Sequence, residues 1–345
     1  MALVILTDRC TLSCDTCFRP RGTDQDAPWL FGELDECLAA IAAAGHTSVF
    51  YSGGEPSLWS DGEIGFAELL AATARHGLSP AFATNGWAFR SYEEASALLG
   101  RYFERTKQRL YVVVSVDHWH EGSWVDGRSP ALDALLQWQR GHAASAHLEV
   151  ELASLCCRDH TRNIPPKDFA PYADAGVKIG YPPLSPRGRA RELRQLAPTL
   201  CPSGTSKESL GPYGELLRAK MDLSPDEWRR LDNVQLLGPC HAVTTITLGM
   251  DRHYWLCCDR ARDRLRVAVV GGLTQAAIEA CLARNPVVRA FRESGVVQTL
   301  RQCARGSGLI ERRAAEAALA GYHPYGISGR AECGVCSCLS SGLFS

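Results

Sequence analysis

Three cysteines near the start of the chain, Cys10, Cys14 and Cys17, stand in the pattern C-x3-C-x2-C. Spacings of four and three would also place the thiols on one helical face as small buried groups. The neighbours oppose that, because Asp8, Arg9, Asp15, Arg19, Pro20, Arg21 and Gly22 are charged or helix-breaking. A structural zinc site wants four ligands, and no nearby Cys or His supplies the fourth at a usual spacing. Three thiolates suit instead a 4Fe-4S cluster whose fourth iron stays open to a small molecule, since ordinary clusters take four cysteines. A second motif, Tyr51-Ser52-Gly53-Gly54-Glu55-Pro56, ends the next strand-like run, and paired glycines there let backbone approach a ligand closely.

These residues need a frame, and the first half of the chain supplies one. Strand-like runs at 3–7, 47–52, 80–84, 110–117, 147–155 and 177–181 alternate with helical patterns at 34–44, 64–76, 92–105, 129–142 and 168–175. Gly45, Gly77, Gly141 and Gly176 mark helix ends. Repeated β-α units predict an α/β fold, a parallel sheet with helices outside, as an open sheet or a partial barrel. Function in such folds gathers after the C-terminal ends of strands, where both motifs fall. Beyond Pro182-Pro183 the chain becomes rich in Pro, Gly, Arg and Ser, which sets a domain boundary near 185. A hairpin is expected at 244–248 and 253–257, then helix from Thr274 to about Ala320, then a cysteine-rich tail.

Composition narrows the partners. The net charge of −1 argues against nucleic acid, and no apolar run is long enough to span a bilayer. The first ten residues carry no secretory signal, so a cytoplasmic location is expected. In a reducing compartment 15 cysteines, an odd number, point to metal, catalysis or buried thiols rather than disulfides.

The cysteine triad and the Gly-Gly-Glu-Pro turn together resemble the radical S-adenosylmethionine (radical SAM) superfamily. The resemblance covers roughly residues 1–185 and implies a partial (βα)6, TIM-like barrel. It makes Cys10, Cys14 and Cys17 the ligands of the SAM-binding cluster, and Gly53, Gly54 and Glu55 the turn that holds the methionyl amine. Asn85, in Thr84-Asn85-Gly86, and Ser115 and Asp117 fall where the family contacts SAM, or serve as strand-end caps. Thr16 departs from the aromatic residue the family often has before the third cysteine. The open iron would chelate the amine and carboxylate of SAM, and one electron would release methionine and a 5′-deoxyadenosyl radical that takes hydrogen from a C–H bond.

The second half, 186–345, resembles the auxiliary-cluster module called twitch, related to the larger SPASM extension. Cys240, Cys257, Cys333 and Cys336 would hold one auxiliary 4Fe-4S cluster, with a zinc knuckle as the competing use. Cys258 rivals Cys257 as ligand, because adjacent strand residues face opposite sides. Whichever of Cys258 and Cys338 is not a ligand is a candidate to return a hydrogen atom. Arg189, in Arg187-Gly188-Arg189-Ala190-Arg191, resembles the barrel-exit segment where an arginine reaches SAM or substrate, or is a solvated basic turn. Asp117-His118-Trp119-His120-Glu121 offers His118 and His120 as acid–base residues, or as a loop capping the barrel. Cys37 and Cys281 read as core; Cys156 and Cys157 end the fifth-strand region; Cys201 and Cys303 lack a patterned neighbour.

Three functions follow. The first is an oxidoreductase or epimerase of natural-product (antibiotic-type) biosynthesis, acting on a small polar metabolite such as an aminocyclitol, amino sugar or nucleoside. A flavodoxin- or ferredoxin-type donor would supply electrons. The second is maturation of a ribosomally made peptide. Such enzymes often carry an N-terminal leader-binding domain, and a first strand at residue 3 favours the small molecule. The third, a non-catalytic electron carrier, has no need for an open-iron triad.

Overall fold

The computed structural model describes residues 1–17, 28–155, 163–180, 245–256, 265–285, 288–290 and 293. Cys156, Cys157, Arg189, Cys201, Cys240, Cys257, Cys258, Cys303, Cys333, Cys336, Cys338 and the expected boundary near 185 lie outside the described residues.

In chain order the elements are β1 (Ala2–Thr7), α1 (Phe31–Ala43), β2 (Ser48–Gly53), a ribbon of β3 (Ser60–Asp61) and β4 (Ile64–Gly65), and α2 (Phe66–Arg75). Then come β5 (Ser79–Thr84), α3 (Tyr92–Arg105), β6 (Leu110–Ser115), α4 (Pro130–Gly141), β7 (Leu148–Ala153), α5 (Ala170–Asp174) and β8 (Lys178–Gly180). The described second half adds β9 (Ile246–Leu248), β10 (His253–Trp255), β11 (Arg266–Val269) and α6 (Gln275–Ala283). The main sheet runs β11-β10-β9-β1-β2-β5-β6-β7-β8. Every pair from β1 to β8 is parallel, so each connection must cross over, and α1 to α4 make four of the crossings. Of the two arrangements that the β-α rhythm allows, this is the partial, TIM-like barrel that the resemblance implies.

Period-two alternation decides which residues meet the helices. Val4, Leu6, Val49, Tyr51, Phe82, Val112, Val114 and Leu152 are buried in one core with Leu34 and Ile41 of α1 and Leu69 and Leu70 of α2. Phe66 sets its ring edge-on to Tyr51 and Phe82, at 5.8 and 5.0 Å between centroids. Tyr51 shares a 2.6 Å hydrogen bond with Thr73, so its buried hydroxyl is satisfied. Cys37 and Cys281 are buried, and burial pushes the Cys37 thiol up to about 11, as suits an inert core cysteine. The opposite strand positions form rungs across the inner face. Leu3, Phe50, Ala81, Tyr111 and Glu149 lie in register, as do Val113, Glu151 and Lys178, and then Ser115, Ala153 and Gly180.

The expected hairpin is present as β9 and β10, and it is joined to the same sheet: β9 runs parallel along the outer edge of β1. Arg252 at the hairpin tip fastens it there. Its guanidinium lies 4.0 Å from the centre of the Trp29 ring and donates to the Pro28 carbonyl (2.9 Å) and the Glu33 carboxylate (3.0 Å). Trp29 is fully buried and donates its indole N–H to the Ile5 carbonyl of β1 at 3.1 Å. Of the helical region expected from Thr274, the described residues form α6, capped by the Thr274 hydroxyl that accepts the Ala277 N–H and ended at Ala283, and helical positions again at 288–290 and 293. Among the described residues no helix is long and apolar enough to cross a membrane.

Arg252→Ala removes a cation–π contact and three charge-assisted hydrogen bonds, to the Met250 and Pro28 carbonyls and the Glu33 carboxylate, and should cost about 2 kcal/mol of unfolding free energy in a urea titration. Arg252→Lys should recover less than half of that, since lysine lacks the planar fork that stacks and donates together.

Candidate active site

The site is built where β1, β2, β5 and β6 end. After Thr7 the chain leaves β1 into the loop that carries Cys10, exposed, and Cys14 and Cys17, both half-buried. None of the three is in a disulfide. The Cys17 N–H donates to the Cys14 carbonyl at 3.2 Å, and the Leu12 N–H reaches the Cys10 sulfur at 3.4 Å.

The Gly53-Gly54-Glu55 turn grips the exit of β1. The Gly54 N–H donates to the Thr7 carbonyl at 2.6 Å and the Glu55 N–H to the Arg9 carbonyl at 2.7 Å. A Cβ on Gly53 would stand 2.3 Å from the Thr7 oxygen, and one on Gly54 would stand 2.1 Å from the Arg9 oxygen. The glycines therefore serve an approach of the chain to itself, a need that the sequence alone assigned to a ligand. The same contact fixes where the cysteine loop starts.

Glu55 is fully buried. Its carboxylate accepts from the Thr84 hydroxyl at 3.0 Å, the Asn85 N–H at 2.8 Å, and the Ser57 hydroxyl and N–H at 2.6 and 3.2 Å. Burial pushes its carboxyl above the ordinary 4.5, against the pull of those donors. Ser57, which the sequence reading passed over, follows Glu55 by two residues, the spacing of a short side-chain-to-backbone turn. Asn85 closes the group. Its amide donates to the Thr11 hydroxyl at 3.1 Å and reaches the Cys10 sulfur at 3.6 Å, while its carbonyl accepts the Trp87 N–H. Burial is the largest influence on the Cys10 thiol and raises it, with the charges of Glu55 and Cys17 adding to the rise.

Ser115 is half-buried at the end of β6. Asp117 follows it with a side chain wholly shielded from solvent. One oxygen accepts from the N–H groups of Trp119 (2.8 Å) and His120 (3.0 Å) and contacts His120 Nδ1 at 2.8 Å. The other accepts the Leu155 N–H beyond β7, at 3.3 Å. Asp117 therefore caps its own loop and holds one imidazole. His118 is exposed and His120 half-buried.

The structure thus brings Asn85 into contact with both Cys10 and Glu55, and Asp117 with His120. Among the described residues no three of His, Cys, Asp and Glu converge as a metal-binding set, so the three thiols share a loop without being gathered on one point. The donor set still fits an iron–sulfur cluster. Three thiols with no disulfide and none buried stand on one loop, anchored at its start, with Cys10 and Cys17 near enough to feel each other's charge.

No protein-family model and no curated protein matches the sequence. Among solved structures, His-tagged anSMEcpe with bound AdoMet (S-adenosylmethionine) aligns with a TM-score of 0.50 at 14% identity, over 88% of this chain and 86% of that one. BtrN in complex with AdoMet and 2-DOIA aligns at 0.43 and 15%, over 85% and 87%. SuiB of Streptococcus suis, bound to the precursor peptide SuiA, aligns at 0.46 and 14%, over 74% and 58%. The chain has the fold of the radical SAM enzymes.

Glu55→Ala would leave the Thr84 hydroxyl and the Asn85 N–H without an acceptor and should cost about 3 kcal/mol in chemical denaturation. A carboxyl raised on folding binds more protons in the native state. Stability should therefore fall as pH rises from about 4.5 through the raised native value, and Glu55→Gln should flatten that slope.

Proposed function

We propose that this chain is a radical SAM enzyme that abstracts hydrogen from a C–H bond of a small polar metabolite, of aminocyclitol, amino sugar or nucleoside type, giving dehydrogenation or epimerisation. The observation that carries the proposal is the double backbone clamp of the Gly53-Gly54-Glu55 turn on Thr7 and Arg9, with Asn85 reaching Cys10. It ties the turn to the cysteine loop at one end of a parallel barrel, where the chemistry of such folds is done.

Cys10, Cys14 and Cys17 would hold the SAM-binding cluster, and Cys240, with Cys257 or Cys258, Cys333 and Cys336, an auxiliary one. When bound, these groups and SAM supply the 5′-deoxyadenosyl radical and the movement of single electrons. The rest is orientation by the chain's own residues. The turn at Gly53 and Gly54, with Asn85, Ser115 and Arg189, would position the polar ends of SAM. Asp117 accepts from two loop N–H groups and fixes His120 through Nδ1, which leaves Nε2 to take a proton from the substrate. His118 is the second acid–base candidate, and Cys258 or Cys338 the hydrogen donor for epimerisation. A reducing protein of flavodoxin or ferredoxin type would supply electrons.

Anaerobic reconstitution should give about eight iron atoms per chain, from two four-iron clusters. Cys14→Ala should lower that to about four and abolish release of 5′-deoxyadenosine from SAM. Continued release by the variant would remove the triad from the proposal. A stable value near four in the unaltered protein would remove the auxiliary cluster. A mass change found on a precursor peptide, and on no metabolite, would replace the small substrate by a peptide.

A further inference from the structure

The inner face of the sheet carries two glutamates on β7, and the chain treats them differently. Leu148, Val150 and Leu152 turn to the helices, so Glu149 and Glu151 face the interior of the partial barrel. Glu149, nearer the start of the strand, is neutralised twice: Arg109 stands 2.7 Å from one oxygen and Lys178 2.7 Å from the other. Glu151, one rung closer to the site, is half-buried and accepts a hydrogen bond from the Tyr111 hydroxyl. Among the described residues no cation pairs with it. Burial first, and then the negative charge of Glu151, hold Tyr111 in its protonated, donating form.

Among the described residues, no large side chain stands in the rung above this carboxylate. Gly180 sits in the rung beyond it, and a Cβ there would stand 2.7 Å from the Glu151 Oε1 atom. The same rung is made of Ser115, Ala153 and Gly180, side chains too small to cover Glu151. At about 3.3 Å per residue, two residues place Glu151 about 7 Å below the strand ends where the candidate site lies. A half-buried carboxylate whose one partner among the described residues is a neutral hydroxyl is stabilised by a cation that brings its own donors.

We infer that Glu151 is the specificity-determining residue of the barrel interior and receives the protonated amine of the substrate, with Tyr111 holding its carboxylate in place. The inference rests on the radical SAM reading and narrows its substrate class to small amino-polyols, excluding neutral sugars and cyclitols. An ammonium group offers three donors. One would meet Glu151, and the polyol ring would extend past Ala153 and Ser115 toward the cysteine loop.

The test is calorimetric titration of the cluster-loaded, SAM-bound protein with glucosamine and with inosamine, against N-acetylglucosamine and myo-inositol as uncharged counterparts. The two amines should bind and the uncharged compounds should not. Glu151→Gln should weaken the amines by about 10- to 100-fold, the worth of one charged hydrogen bond, and Glu151→Asp should weaken them less. The thermal midpoint should change little in Glu151→Gln, because the new amide oxygen still accepts from Tyr111. Equal binding of charged and uncharged compounds, no binding of either amine, or amine affinity unchanged in Glu151→Gln would each overturn the inference. If the amines bind as expected but the unaltered protein never cleaves SAM, the enzymatic reading fails while the amine site stands.

Discussion

A carboxylate sealed from water must be surrounded by donors, and the way Glu55 meets that demand fixes the site. Its oxygens accept from the Thr84 hydroxyl and the Asn85 N–H at the end of β5, and its own N–H donates to the Arg9 carbonyl beyond the end of β1. One residue on β2's exit thus joins the exits of both neighbouring strands. Removing water makes each of these bonds stronger and each unmade one costlier. The two glycines before it are the steric condition for that arrangement, because any side chain there would collide with the carbonyls it has to reach.

The same device recurs at β6. Asp117 is shielded from solvent and draws its donors from its own loop and from the start of the next one. Buried acids therefore act as knots between successive strand ends, and the loops they tie carry the groups with chemistry: Cys10 beside Asn85, and His120 on Asp117. The inner-face acids complete the contrast. Glu149 is matched by two cations of the chain and adds to the frame, whereas Glu151, among the described residues, has a single neutral donor.

Much of the barrel was legible because hydrophobic alternation and β-α rhythm are local signals. The strands at 3–7, 80–84 and 110–117 appear as β1, β5 and β6 with ends shifted by a residue or two. A helix end is fixed more sharply where one side chain caps it: the helix expected at 92–105 is Tyr92–Arg105, with the Ser91 hydroxyl accepting the Glu94 N–H. The hairpin near 250 was legible for the same local reason, but its place beside β1 was not, since a strand edge leaves no mark in composition. Glu55 was found by its motif, yet its environment depends on Ser57, two residues on, and on Thr84 and Asn85, whose roles appear only when β2 and β5 are adjacent. Glu151 was passed over altogether. A glutamate in an alternating strand reads as a solvated face unless the strand is known to curl around an interior.

The seat of β9 on β1 has a consequence for the order of events in synthesis. β1 leaves the ribosome ahead of every other strand of this sheet, and one of its edges is closed by residues made more than two hundred positions later, with Arg252 bonding to Pro28 across 224 positions. Until then that edge offers unpaired N–H and C=O groups to any passing strand. Closing so long a loop is slow. A nascent chain would therefore hold a half-finished barrel with one adhesive border, and whatever shields it, a chaperone or simple speed of elongation, decides how much of the protein reaches its native form.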